Sequence, residues 1–150
     1  MIKIKIKKVR DVPLPEYAHP GDSGMDLVNA GKETVIPPGE RALIPAGIKI
    51  AVPEGWEIQI RSRSGLAVKE GIMVLNSPGT IDAGYRGEIG VILLNTSKES
   101  VEINSGMRIA QAVLQKIEKI AWQKVESLED SSRGDGGFGS TGHGDLRGLH

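Results

Sequence analysis

Apolar and polar residues alternate with period two from the start of the chain. Ile2, Ile4 and Ile6 fall on one side and Lys3, Lys5 and Lys7 on the other, which predicts a strand. The lysine row reads either as the solvated face of an edge strand or as a phosphate-binding strip. Pro13, Pro15 and Pro20 then interrupt regular structure. Short runs follow, each closed by proline or glycine: Thr34–Ile36, Arg41–Ile44, Gly47–Val52, Trp56–Arg61 with Ile58 and Ile60 alternating against Glu57 and Gln59, Ile72–Leu75, the fuller apolar run Glu88–Asn95, and Val101–Ile103. Many short strands with closely spaced turn signals predict a sandwich, barrel or jelly roll. Only Leu66–Glu70, stopped by Gly71, predicts a helix. One stretch conflicts with this picture. From Ile109 to Leu128, the positions Ala110, Val113, Leu114, Ile117, Ala121, Val125 and Leu128 fit helical spacing better than alternation.

At 150 residues and 16.0 kDa the chain has the length of one domain. It has no cysteine, which excludes disulfides, thiol nucleophiles and Cys-ligated metal centres. Basic and acidic residues balance at 19 each, so no global field draws the chain to nucleic acid or anionic lipid. No apolar run is long enough for a membrane helix, and the charged N-terminus is no signal peptide, so the expected compartment is the cytoplasm. Asn95-Thr96-Ser97 matches a glycosylation sequon that has no meaning without export. Aromatics are only 3% of residues, which leaves the core to aliphatic side chains, and the 20 glycines point to backbone roles. Seven of those glycines fall between Arg133 and the C-terminus, around Phe138, the only phenylalanine. That composition suits a disordered tail, and equally a mobile clamp with a ring to stack and a backbone to wrap phosphate.

Polar groups in turns are the candidates for chemistry. Asp26 lies beside Gly24 at a strand start. Arg63 and Ser64 precede the short helix with Gly65, where free amides and a cation favour an anion. Asp82 and Tyr85 share one glycine-rich segment, and Gln111 lies on a late strand. Each has a purely structural role open to it: Asp26 as a turn cap, Ser64 as a helix cap, Asp82 paired with Arg86, Gln111 as an ordinary strand residue.

Taken together, five segments in this order resemble the five motifs of the trimeric deoxyuridine triphosphatase (dUTPase) family: SGMDL (Ser23–Leu27), RSGLA (Arg63–Ala67), GTIDAGYRGE (Gly79–Glu88), GMRIAQ (Gly106–Gln111) and RGDGGFGSTG (Arg133–Gly142). The third and fifth are the most specific. Ser23, Met25 and Gly84 depart from the commoner family residues without removing a reacting group.

The resemblance implies an all-β, jelly-roll-like barrel with one short helix, in which Ile109–Val125 forms strands. It divides the chain into a catalytic barrel at residues 1–132 and a mobile glycine-rich arm at 133–150. It implies a dUTP diphosphatase that releases dUMP and pyrophosphate, with Asp82 as general base. Asn76 and the backbone of Gly79, Thr80 and Ile81 would read uracil, and Tyr85 would pack on the deoxyribose. Arg63, Ser64, Gly65 and Gln111 would hold phosphate oxygens. Phe138 would stack on uracil while Arg133, Gly139, Ser140 and Thr141 close on the phosphates. Mg²⁺ would be carried mainly by the triphosphate, with Asp26 reaching it through water. The expected assembly is a homotrimer with sites shared between subunits, with no nucleic-acid or membrane partner. The alternative on the same fold is a dCTP deaminase, with or without dUTPase activity.

Overall fold

The computed structural model describes residues 1–144, so positions 145–150 of the expected arm lie outside the described residues. Two compact units are present, residues 1–118 and 119 onward.

The first unit is β-rich. Its elements run β1 (Lys5–Lys8), β2 (Gly24–Val28), β3 (Thr34–Ile36), β4 (Arg41–Pro45), β5 (Ile48–Ala51), β6 (Trp56–Arg61), α1 (Ser64–Glu70), β7 (Ile72–Val74), β8 (Gly79–Ile81), β9 (Gly90–Asn95), β10 (Val101–Ile103) and β11 (Arg108–Lys116). All pairings are antiparallel. The largest sheet has the order β2-β11-β6-β8; β4-β9-β7 forms a second, and β1-β5 and β10-β3 are two-stranded. Strands distant in sequence are thus neighbours, as expected of the jelly-roll-like class. Alternation along each strand builds the core. In β9, Val91, Leu93 and Asn95 point inward, and in β5, Ile48 and Ile50 do so. Leu27, Ile36, Ile44, Ile72, Ile89, Leu93, Ile103 and Ile109 are almost fully buried, an aliphatic core as the composition required.

Two asparagines are the buried polar residues among the described residues. Asn29 Nδ2 donates to Ile103 O at 3.0 Å and to Lys32 O at 3.1 Å, and its Oδ1 accepts from Gly31 N. Asn95 Nδ2 donates to Ile36 O and Glu99 O, and its Oδ1 accepts from Ser97 N. The sequon asparagine is therefore wholly buried and tied into a turn.

The helix begins two residues before the predicted start and ends at Gly71, whose φ of +66° places it in the left-handed region. A larger departure concerns Ile109–Val125. The strand expected across it holds to Lys116, the partner of Trp56 at the first position of β6. Ile117 N–H donates to Gly55 O, and beyond it the chain has no strand to pair with. The isoleucine row of β1 also differs from the simplest reading. The strand begins only at Lys5, so Ile2 lies outside it and stays exposed, as does Ile6 on β1, and only Ile4 packs on the core.

The second unit has no helix or strand among its described residues. Ile120, Trp122, Val125 and Leu128 are exposed along it. Tight turns then follow one another, with Gly134 N–H on Ser131 O, Gly136 N–H on Arg133 O, Ser140 N–H on Gly137 O and Gly142 N–H on Gly139 O. No helix among the described residues is long and apolar enough to cross a membrane.

Candidate functional site

The first cluster forms around β8, the edge strand of the large sheet. Its register against β6 is Ile58 with Ile81, Gln59 with Thr80 and Ile60 with Gly79. Nothing pairs with the other side of β8, so main-chain donors and acceptors remain free along that edge. A cavity of about 210 Å³ opens there. Asn76, Gly79, Thr80, Ile81, Asp82 and Tyr85 contribute to its wall. Five of these six are exposed or line the opening with backbone, while the Ile81 side chain turns into the core. Gly79 leaves little room for a side chain: a Cβ there would lie 3.2 Å from both Asn76 Nδ2 and Ile60 Cβ.

Asp82 and Tyr85 flank a tight turn closed by Tyr85 N–H on Asp82 O at 3.1 Å. Arg86 does not pair with Asp82. Its guanidinium donates to the carbonyls of Ala83 and Tyr85 instead. Among the described residues no cation lies within ion-pair distance of the Asp82 carboxylate, which leaves it exposed to water at the cavity mouth.

The second cluster forms at the other side of the same sheet. Strand β11 brings Gln111 opposite Asp26 on β2 and opposite Arg61 on β6. Arg63, at the N-cap of α1, donates from Nε to Asp26 Oδ1 at 3.0 Å. Arg108 Nη1 lies 3.5 Å from Asp26 Oδ2. Asp26 thus holds two guanidiniums and is half-buried between them. Arg108 stands inside the fourth motif, yet nothing in the string marks it as a partner of Asp26, since the pairing depends on the β2–β11 register. Ser64 makes no capping hydrogen bond, so its helix-cap role is not realised and it stays exposed beside Gly65. A Cβ at Gly65 would meet nothing within 4 Å, so packing within this chain does not account for glycine there.

Arg133, Phe138, Gly139, Ser140 and Thr141 belong to the second unit. Arg133 Nε donates to Gly136 O at 2.8 Å, and Phe138 projects its ring fully into solvent from a φ of +48°. That backbone conformation is uncommon for a bulky residue.

Two further residues escaped the motif reading in role. Glu88 ends the third motif, and Arg10 lies 78 positions earlier. They form a two-point ion pair, 2.6 Å and 3.2 Å. The hydrogen bond from Arg10 holds the Glu88 carboxyl below the usual carboxylate range, against the opposing effect of its partial burial. Glu88 in turn raises Arg10.

For a divalent metal the donor set is sparse. Among the described residues no three acidic or histidine side chains converge, and both Asp26 oxygens already face arginine. Such a set suits a hydrated Mg²⁺ brought by a polyphosphate, not an ion caged by protein.

A family model described as dUTPase matches residues 10–142. The deoxyuridine 5'-triphosphate nucleotidohydrolase of Alkaliphilus metalliredigens is 56% identical over 143 residues, covering 95% of this chain and 99% of its own. A dUTPase of Staphylococcus bacteriophage 80alpha, solved with dUPNHPP, superposes with a TM-score of 0.85 at 30% identity, over 95% of this chain and 99% of that one. A mutant dUTPase from phage phi11 of S. aureus, described for its coordination of a structural Mg(II) ion, gives a TM-score of 0.78 at 26% identity, over 86% of this chain and 100% of that one. With the family model spanning nearly its whole length, the chain belongs to the dUTPase family.

Proposed function

We propose that this chain hydrolyses dUTP to dUMP and pyrophosphate, limiting uracil in DNA and supplying dUMP, with Asp82 as the general base. The observation that carries the reading is the unpaired Asp82 carboxylate at the mouth of the cavity walled by Asn76, the free edge of β8 and Tyr85. Uracil needs partners for its carbonyls and N–H, and an unpaired strand edge supplies them in fixed positions, with the Asn76 amide alongside. Cytosine presents reversed donors and acceptors to that edge and leaves buried groups unpaired. Tyr85, which lines the same cavity, would pack against the deoxyribose and leave no space for a 2′-hydroxyl. Asp82 orients a water and takes its proton as the water oxygen bonds to the α-phosphorus. The bond from that phosphorus to the bridging oxygen breaks, and pyrophosphate leaves with the electron pair.

Arg63, Ser64 and Gln111 hold phosphate oxygens, and Asp26 keeps Arg63 and Arg108 aimed. Mg²⁺, when bound, neutralises charge along the triphosphate; phosphate oxygens and, through water, Asp26 would hold it. Arg133, Gly139, Ser140 and Thr141 close on the outer phosphates and Phe138 stacks on uracil, which excludes water during the step.

The working unit in this reading is a homotrimer with composite sites. Three observations support it. Strands β8 and β2 occupy opposite edges of one sheet, with β6 and β11 between them, so three spacings of roughly 4.8 Å separate the uracil edge from the Asp26 strand. The cavity lining includes none of Asp26, Arg63, Ser64 or Gln111. An apolar groove of about 200 Å³ is lined by Ile4, Ile6, Leu14, Met25, Ile48 and Ile50, of which Ile6 and Leu14 are exposed. Residues 129–142 span up to about 45 Å when extended, enough to reach a neighbouring subunit.

The test is pyrophosphate release from dUTP, dCTP, dTTP and UTP, with Mg²⁺ and with chelator, alongside ammonia release from dCTP. Only dUTP is expected to turn over, and chelator is expected to suppress it. Asp82→Asn is expected to bind dUTP and lose at least about a hundredfold in kcat. Near-normal pyrophosphate release by that variant removes Asp82 as base; ammonia from dCTP with dUTP untouched replaces the reading by a deaminase.

A further inference from the structure

The Tyr85 side chain folds back against the backbone that follows it. Its hydroxyl donates to Glu88 O at 2.9 Å. Beneath the ring lies Gly87: a Cβ there would meet Tyr85 Oη and approach Cζ to 2.6 Å. The ring can therefore lie in this pose only over a residue without a side chain. The peptide that joins Glu88 to Ile89 is gripped on both edges. Its carbonyl receives the Tyr85 hydroxyl, and its N–H donates to Ile48 O at 2.9 Å. The Glu88 carboxylate is clamped as well, by Arg10 at two points and by Gly47 N–H at 3.1 Å. Gly47 is itself fixed, since its φ is +77° and a Cβ would lie 2.7 Å from Ala30 Cβ.

These contacts run from Arg10, just after β1, to the end of the Asp82–Glu88 segment, whose intervening residues are largely exposed. A tyrosine on an exposed turn would otherwise sample several rotamers and exclude a 2′-hydroxyl poorly.

We propose that Gly87, Glu88 and Arg10 form a seat for Tyr85 and are positioning residues for rejection of ribonucleotides. The proposal rests on the reading of Tyr85 as the sugar-facing residue given under Proposed function. Gly87 provides the surface on which the ring lies. Glu88 provides the acceptor that sets its rotation. Arg10 holds Glu88 from outside the motif.

The experiment compares kcat/KM for dUTP and for UTP in the full-length protein and its Gly87→Ala, Arg10→Ala, Arg10→Lys and Tyr85→Ala variants, with melting curves for each. Gly87→Ala and Arg10→Ala are expected to lower the dUTP-to-UTP ratio about three- to tenfold, the scale of one lost hydrogen bond and a displaced ring. Most of that change is expected in the UTP arm. Arg10→Lys is expected to recover at least half of the ratio, because the cation and one donor return. Gly87→Ala added to Tyr85→Ala is expected to cost no further selectivity, since the seat acts only through the ring. An unaltered ratio in the Gly87 and Arg10 variants, with selectivity lost in Tyr85→Ala, refutes the seat and spares the sugar reading. Additive losses in the double variant refute it too. Full selectivity in Tyr85→Ala brings down the sugar reading and the seat together. Should Gly87→Ala fail to fold, the Arg10 pair decides alone.

Discussion

Replacing Gly79 with alanine tests whether the free edge of β8 reads the base. The added methyl would lie 3.2 Å from Asn76 Nδ2 and 3.2 Å from Ile60 Cβ. Comfortable carbon contacts are about 3.5–4.0 Å, so a neighbour must yield by a few tenths of an ångström. Ile60 is 2% exposed and sits in the sheet between β8 and β11, whereas Asn76 is an exposed side chain at the rim. Asn76 is therefore the group that moves. The fold is expected to lose less than about 1 kcal/mol, since one exposed side chain adjusts. The base is expected to lose more. A displaced amide leaves one uracil group without its partner, worth about 1–3 kcal/mol when buried, and that corresponds to roughly five- to 150-fold in affinity. The methyl also intrudes on a cavity of only about 210 Å³. The assay is steady-state pyrophosphate release with dUTP, read as separate kcat and KM values, with a thermal melt as control. KM is expected to rise by at least fivefold and kcat to fall by less than KM rises, because Asp82 lies beyond the strand in the following turn. A KM within twofold of the parent, in a protein that carries the substitution and melts normally, would show that uracil is not read at this edge.

Removing residues 133 onward is expected to abolish most dUTP turnover while leaving the melting curve of the barrel in place, because among the described residues all regular structure lies in residues 1–118; undiminished activity after truncation ends the clamp reading. Mixing inactive Asp82→Asn subunits with inactive Arg63→Ala subunits is expected to restore part of the activity through sites that draw one half from each, and a mixture as dead as its components argues for sites complete within one chain. Glu88 sets a pH dependence. Its carboxyl is lowered by Arg10, so its contribution to stability is fully present above the ordinary glutamate value of about 4.3 and is lost as pH falls through the lowered folded value. Melting temperature is therefore expected to drop more steeply from about pH 5 to pH 3 in the parent than in Glu88→Gln, and parallel curves would contradict the pairing.

What the sequence made legible follows from how local each signal is. The alternating runs gave β3, β4, β6 and β10 almost to the residue, because period two and the closing prolines and glycines are local features. Gly71 likewise stopped the helix where its left-handed conformation is needed. Ile109–Val125 misled because alternation and helical spacing coincide along it, and the deciding factor is the length of β6: pairing ends at Trp56, so the strand ends at Lys116. The string GTIDAGYRGE put Asn76's neighbours, Asp82 and Tyr85 in one place, and the cavity does gather them. The arginine partners of Asp26 and the clamp on Glu88 were not legible. Both depend on strands brought together from far along the chain, and an arginine in a string carries no mark of which carboxylate it will meet.

The division of the polar residues into two groups has a physical logic of its own. A carboxylate that must hold and activate a water cannot also sit against guanidiniums, which would occupy its oxygens. A carboxylate that must aim arginines at phosphate needs that contact. Asp26 lies on one edge strand of the large sheet with two guanidiniums at its oxygens, and Asp82 follows the opposite edge strand with no cation beside it among the described residues, an arrangement that fits the roles proposed for them. Under the homotrimer proposed above, a second copy would present its Asp26 edge to the Asp82 edge of the first, and both would reach a single triphosphate. In that reading the sheet keeps the two carboxylates apart within one chain, and the subunit interface would bring them to one substrate.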